Sequence, residues 1–210
     1  MCGICGEILF REGRLDPAPT TRMALAMQPR GPDGLGVKAG ARVAFGHARL
    51  KIIDLSDRGA QPMSDADHDW EIVFNGCIYN YQPLRAELIG LGHAFHSTSD
   101  TEVILAAWKE WGPASVDRLM GMFAFVIHER ATGRIFMVRD RFGIKPLYLA
   151  ETATSLRFAS TLPALLAAGD VDTTIDRTAL NHYMSWHAVV PPPLTILKGV
   201  RKLPPATICT

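Results

Sequence analysis

The stretch MFAFVIHERATGRIFMVR, Met122 to Arg139, holds two runs of strand-forming residues, Met122–Glu129 and Ile135–Arg139, on either side of Ala131-Thr132-Gly133. So short a connection returns the chain on itself, so the two flanks pair antiparallel; a parallel pair needs a crossover of about a dozen residues. Runs of the same texture lie at Gly3–Phe10, Val43–Ile53, Trp70–Asn75, Leu147–Glu151 and Leu156–Ser160. Three helices are marked. Pro83 suits a first helical position, Leu84, Leu88 and Leu91 form one stripe, and Gly92 suits the stop. Ser99-Asp100-Thr101-Glu102 reads as a capping box for a helix that Gly112-Pro113 ends, and Asp176 can cap another through Asn181 and Trp186. Strands in blocks with helices between them predict an α+β fold of mainly antiparallel sheets rather than a doubly wound one.

The chain of 210 residues is 48% hydrophobic and 20% charged, enough for one sizeable core. Its 22 basic and 21 acidic residues are interspersed and leave a net charge of +1, which gives no footprint for nucleic acid or an anionic membrane. Apolar runs are short and broken, so neither a membrane-spanning segment nor a signal peptide is predicted, and the expected compartment is the cytoplasm. There the four cysteines, Cys2, Cys5, Cys77 and Cys209, are poor material for a disulfide framework. From Trp186 the texture changes: Pro191-Pro192-Pro193 and Pro204-Pro205 bracket Leu194–Val200. Residues 186–210 are therefore expected to form an extended arm beyond a domain at 2–185, and the chain reads as a fragment.

Cys2-Gly3-Ile4-Cys5 admits three readings. A redox dithiol needs a helix N-terminus, whereas Gly3–Phe10 reads as strand, on which the two thiols point to opposite faces. A zinc site needs two further ligands, and His93-x-x-His96 is the one candidate pair; no metal is expected. The third reading uses position. Cysteine is small enough for Met1 to be removed, and an α-amine titrating near about 7.7 to 8.0 would then share a residue with the thiol as nucleophile and base.

Read in order, Cys2-Gly3-Ile4, Arg30-Gly31-Pro32-Asp33-Gly34, His47-Ala48-Arg49-Leu50, Phe74-Asn75-Gly76, Ser99-Asp100-Thr101-Glu102 and Arg139 to Tyr148 form a succession. It resembles the glutaminase domain of class II glutamine amidotransferases, the N-terminal-nucleophile hydrolases, most closely the asparagine synthetase branch. The resemblance implies a four-layer αββα sandwich. It also implies hydrolysis of L-glutamine through a thioester, with ammonia passed to a C-terminal synthetase domain that is not in this chain. Cys2 would be the nucleophile, and the Asn75 side chain and Gly76 N–H the oxyanion hole. Arg49 would grip the substrate's α-carboxylate and Asp100 its α-ammonium, the helix N-terminus keeping Asp100 ionised. Leu50, Ile52 and Ile53 would line the pocket, their side chains being equally good core, and Arg30 would support the nucleophile.

No cofactor is implied for this chain. ATP and Mg belong to the synthetase domain, whose Ser-Gly-Gly-x-Asp-Ser signature is absent here. Cys77 departs from the pattern, because many asparagine synthetases carry glutamate there; Asn-Gly-Cys-Ile-Tyr-Asn looks more like the branch that amidates N-acetylglutaminylglutamine, so the acceptor is aspartate or that dipeptide. The resemblance leaves room for a homodimer. The competing reading is a catalytically silent regulatory domain of the same fold. A sugar-phosphate or phosphoribosyl amidotransferase is disfavoured by the form of Arg139 to Tyr148.

Overall fold

A computed structural model describes all 210 residues, Met1–Thr210. The strands are β1 (Gly3–Leu9), β2 (Gly34–Ala39), β3 (Val43–Arg49), β4 (Met63–Ser64), β5 (Trp70–Ile78), β6 (Gly121–Glu129), β7 (Arg134–Arg139), β8 (Tyr148–Glu151), β9 (Ser155–Ala159), β10 (Arg201–Lys202) and β11 (Thr207–Cys209). The helices are α1 (Ala18–Ala26), α2 (Tyr81–Gly90), α3 (Asp100–Trp111), α4 (Ser115–Arg118), α5 (Leu162–Ala168) and α6 (Arg177–Ser185).

The predicted hairpin is β6–β7, paired antiparallel from Ala124↔Arg139 to Glu129↔Arg134. It forms the middle of a five-stranded sheet in the order β11-β7-β6-β5-β4, while the other sheet runs β10-β8-β9-β1-β3-β2. Every strand pair within the two sheets is antiparallel. Alternation along the strands then sorts side chains into three apolar layers. Ile72, Phe74 and Ile78 of β5 pack outward with Phe123 and Phe125 against Leu84 and Leu88 of α2 and Ile104 and Trp108 of α3. Val73 faces inward with Ile4, Phe45, Val126 and Phe158, filling the space between the sheets. On the far side Cys5, Ala48 and Ala159 meet Met23, Ala24 and Met27 from α1 and its end, and Leu165 of α5. Helices, sheet, sheet, helices make the four-layer αββα sandwich, and each large inward side chain contributes roughly 1.5–3 kcal/mol of burial.

Several local readings change. The third strand stops at Arg49, and Leu50–Ile53 form a loop in which Ile52 is 70% exposed, so Ile52 is not core. Pro83 stands at the third position of α2 rather than the first, and Leu91 of the expected stripe is exposed. Ser99 caps α3 by accepting from Glu102 N, but Glu102 does not return the bond; its carboxylate accepts from the Ser97 and His96 amides. Residues 186–210 are not a free arm. Val200 and Leu203 are buried, β10 extends one sheet against β8, and β11 extends the other against β7. Helices α1 and α5 and strand β2 add to the elements marked in the sequence.

Candidate active site

Cys2 stands at the entrance to β1. Strand alternation sends Cys5 outward to the α1 layer, where its thiol donates to Thr20 O at 3.7 Å and burial pushes it far up, keeping it protonated. Cys2 faces the other way. Its Sγ accepts from Leu50 N at 3.4 Å and lies 3.6 Å from Leu50 O, so the loop after β3 cradles the sulfur through its backbone. Behind it, Arg30 Nε donates to Cys2 O at 3.2 Å, and the Met1 ammonium donates to Arg30 O at 3.1 Å.

Opposite lies β5. Phe74 and Ile78 turn their N–H groups out of the β5–β6 ladder, to Gln61 Oε1 at 2.6 Å and Asp100 Oδ2 at 3.0 Å. Gly76, midway between them, shares that direction by strand periodicity and presents its N–H to the pocket. A Cβ at Gly76 would stand 2.3 Å from Met122 O, so glycine is required by the neighbouring strand and not by the space above the site. The Asn75 side chain points between the sheets, where its Nδ2 reaches Ser160 Oγ at 3.5 Å; Ser160 is itself tied to Ile4 N at 3.0 Å. Asn75 is thus positioned by both sheets.

Cys2, Arg49, Leu50, Ile52, Ile53, Asn75, Gly76, Cys77 and Asp100 all line one pocket of about 260 Å³, and Arg30 lies behind it. That volume is small beside the roughly 300–1,000 Å³ of drug-sized sites and suits a small polar metabolite. Its charges are arranged in an unusual way. Arg49 is buried, donates to Asp54 O at 2.8 Å and has no carboxylate partner. Glycine at 59 leaves it room, since a Cβ there would sit 2.6 Å from Arg49 Nη2. Asp54 is otherwise engaged: the Ser56 hydroxyl and the Ser56 and Thr98 amides hold its carboxyl down to about 2.

Asp100 has no cationic partner either. Burial pushes it up to about 6, against the amides of Ile78, Thr101 and its own residue. The helix N-terminus does not keep it fully ionised, as the sequence leads one to expect, because desolvation outweighs those amides. The Cys77 thiol is pushed up, first by burial and then by Asp100, with Lys145 opposing.

Among the pocket residues that the sequence reading does not name as site residues, Gln61, His47 and Lys145 matter most to the chemistry. Gln61 ties β5 to α3 by accepting from Phe74 N and donating to Thr101 Oγ1 at 3.1 Å. His47 is buried with neither ring nitrogen completing a hydrogen bond, and burial with the Arg49 charge lowers it to about 3, so it stays neutral. Lys145 is 4% exposed and reaches the pocket from the loop after β7. His47 and Lys145 both lie inside motifs quoted above, while Gln61 carries no local signal. His93, the candidate zinc ligand, is bound to Glu110 at 2.9 Å.

Comparison with known proteins bears on the family and the fold. A family model described as a glutamine amidotransferase domain matches residues 1–210. The chain is 37% identical over 213 residues to asparagine synthetase [glutamine-hydrolyzing] 3 of Bacillus subtilis, covering all of this chain and 34% of that protein. Asparagine synthetase [glutamine-hydrolyzing] 1 of the same organism is 42% identical over 178 residues, 85% of this chain and 28% of that one. Asparagine synthetase B [glutamine-hydrolyzing] of Escherichia coli is 36% identical, over 79% of this chain and 30% of that protein. The chain therefore spans about a third of the length of these relatives. Among solved structures, glutamine phosphoribosylpyrophosphate amidotransferase from B. subtilis superposes with a TM-score of 0.69 at 21% identity, covering 80% of this chain and 44% of that one, which speaks for the N-terminal-nucleophile hydrolase fold. By the full-length match, the two-sheet architecture and the motifs it brings into one pocket, the chain belongs to the glutamine amidotransferase domain family, with asparagine synthetases among its relatives.

Proposed function

We propose that this domain hydrolyses L-glutamine to glutamate and ammonia at Cys2. The observation that carries the reading is the pairing of an accessible thiol with a buried, unpaired Arg49 and Asp100 in one small pocket. A ligand carrying both a carboxylate and an ammonium satisfies both, and its side chain then extends toward Cys2, Asn75 and Gly76.

Removal of Met1 frees the Cys2 α-amine, which takes the thiol proton. Sulfur attacks the side-chain amide carbon, and the oxyanion is received by Asn75 Nδ2 and Gly76 N–H. The C–N bond breaks as the amine returns its proton to nitrogen, releasing ammonia and leaving a thioester. Water, deprotonated by the same amine, attacks the thioester; the C–S bond breaks to give glutamate and the free thiol. Arg30 holds the Cys2 carbonyl, so the new N-terminus stays in place after Met1 leaves.

The ammonia would serve a C-terminal synthetase domain, which would bind ATP and Mg and amidate an acceptor carboxylate, aspartate or N-acetylglutaminylglutamine. The relatives' greater length supports this, as does α6 and the segment after it, which leave Tyr183, Met184, Trp186 and Val189 exposed. In the test, intact-mass spectrometry of active protein shows Met1 absent, and a glutamine-analogue electrophile adds once, at Cys2. Activity in protein retaining Met1, or labelling that persists in Cys2→Ala, overturns the mechanism; persistence would point to Cys77. Processed wild-type protein that is folded but inert toward glutamine would favour the regulatory reading.

A further inference from the structure

With glutamine bound, one cation of the pocket is left without an acid against it, because Asp54, the pocket's second carboxylate, is held by the Ser56 hydroxyl and the Thr98 amide. The α-carboxylate takes Arg49, the α-ammonium takes Asp100, and the amide is neutral, leaving the Lys145 ammonium over. Lys145 is 4% exposed, has no carboxylate partner, and its Nζ makes a single hydrogen bond, 3.1 Å to Met1 Sδ, an atom that processing removes. A buried ammonium without an anion is costly, so its position must be enforced.

The enforcement is visible. Asp140 accepts from the backbone amides of Phe123, Phe142, Ile144 and Lys145 at 2.9–3.2 Å. Arg139 donates to Lys145 O at 2.8 Å, Gly143 O at 2.7 Å and Leu203 O, tying the loop to the segment between β10 and β11. The loop from 140 to 145 is thereby fixed, with Lys145 aimed into the pocket.

Resting on the glutaminase reading, we propose that the Lys145 ammonium is the countercharge of the Cys2 nucleophile, stabilising sulfur as an anion before substrate is attacked. Lys145 is then a positioning residue that acts through Cys2. The groups facing Lys145 fit this role. Burial and Arg30 disfavour its charge, while Cys2, Asp140 and Cys77 favour it. Around Cys2 itself stand Arg30 behind the strand, Arg49 from β3, Cys77 from β5 and Asp100 from α3. Arg30 lies behind the strand with its Nε on the Cys2 carbonyl, outside the pocket, and Arg49 is the cation that the α-carboxylate takes, so Lys145 is the pocket side chain left to serve the thiol.

The experiment is iodoacetamide alkylation of the Met1-processed chain without glutamine, followed from about pH 5 to 10 by peptide mass spectrometry, which reads Cys2 and Cys77 separately. Lys145→Met is expected to slow Cys2 alkylation about tenfold at pH 7 and raise its midpoint by about one unit, the rates converging at high pH. Lys145→Arg restores most of the rate. Lys145→Gln takes the place of Lys145→Met should the latter not fold, as judged by its urea transition. An unchanged midpoint in a folded neutral variant, or Lys145→Arg behaving like Lys145→Met, overturns the proposal and leaves Lys145 a packing residue. Glutamine turnover is measured alongside. Wild-type protein whose Cys2 titration shifts with Lys145 but which never turns over glutamine would sink the glutaminase reading alone.

Discussion

Replacing Asp100 with asparagine should make the domain more stable and a worse enzyme, and both effects can be sized. Burial raises the Asp100 carboxyl from 3.8 to about 6. Each unit corresponds to about 1.4 kcal/mol, so holding this group ionised at pH 7 costs the empty fold roughly 3 kcal/mol. A neutral amide in its place would remove that cost but lose part of the bonding to backbone amides, roughly 1 kcal/mol, leaving a net gain of about 2 kcal/mol. The sign follows from proton binding. Between about pH 4 and 6 the folded wild type holds more protons than the unfolded chain, so its Asp100 contribution declines as pH rises through that window. Urea unfolding should therefore show Asp100→Asn more stable at pH 7, by roughly 1 M in midpoint for a slope of about 2 kcal/mol/M, with the advantage vanishing near about pH 4.5. In the same variant, loss of the charge-assisted bond to the α-ammonium should raise the KM for glutamine by roughly 10- to 100-fold with a smaller effect on kcat. Wild-type KM should itself climb as pH falls through about 6. Equal stability at pH 7, or an advantage that persists unchanged at about pH 4.5, would refute the claim that burial of a charged Asp100 is the cost.

Two further substitutions probe the oxyanion side. Asn75→Ala should lower kcat by about 10²–10³, equivalent to about 2.7–4 kcal/mol, while KM changes little, because the donor acts on charge that develops in the transition state; steady-state kinetics decides this, and a change confined to KM would refute it. Gly76→Ala forces a Cβ against Met122 O at 2.3 Å, so β5 must shift. Thermal or urea unfolding should show a loss of about 1–3 kcal/mol, and turnover should fall with it.

The parts of the fold legible in the sequence are those whose signal is local. The β6–β7 hairpin declares itself by two strand runs and a short connection, and Ser99 and Asp176 mark their helices by accepting from Glu102 N and Ala179 N. Helix α1, APTTRMALA, has weak apolar periodicity and few large side chains, and α5 is short and rich in alanine; both exist because the small outer faces of β1, β3 and β9 accept close-packed helices. The proline-rich tail reads as extended, and locally it is. What makes β10 and β11 part of the sandwich is the exposed edge that β8 and β7 each present to it.

The site divides in the same way. Sequence alone determined the chemistry available: a thiol directly after Met1, an asparagine-glycine pair on a strand, an arginine after another, and an aspartate at a helix start. Tertiary structure decided what those groups experience. Stacking two sheets brings Asn75 to Ser160 across 85 residues of chain, buries Asp100 until its charge becomes costly, and leaves Arg49 and Lys145 without acids. Those properties depend on desolvation and on distances between elements remote in sequence, and neither is encoded in any single segment.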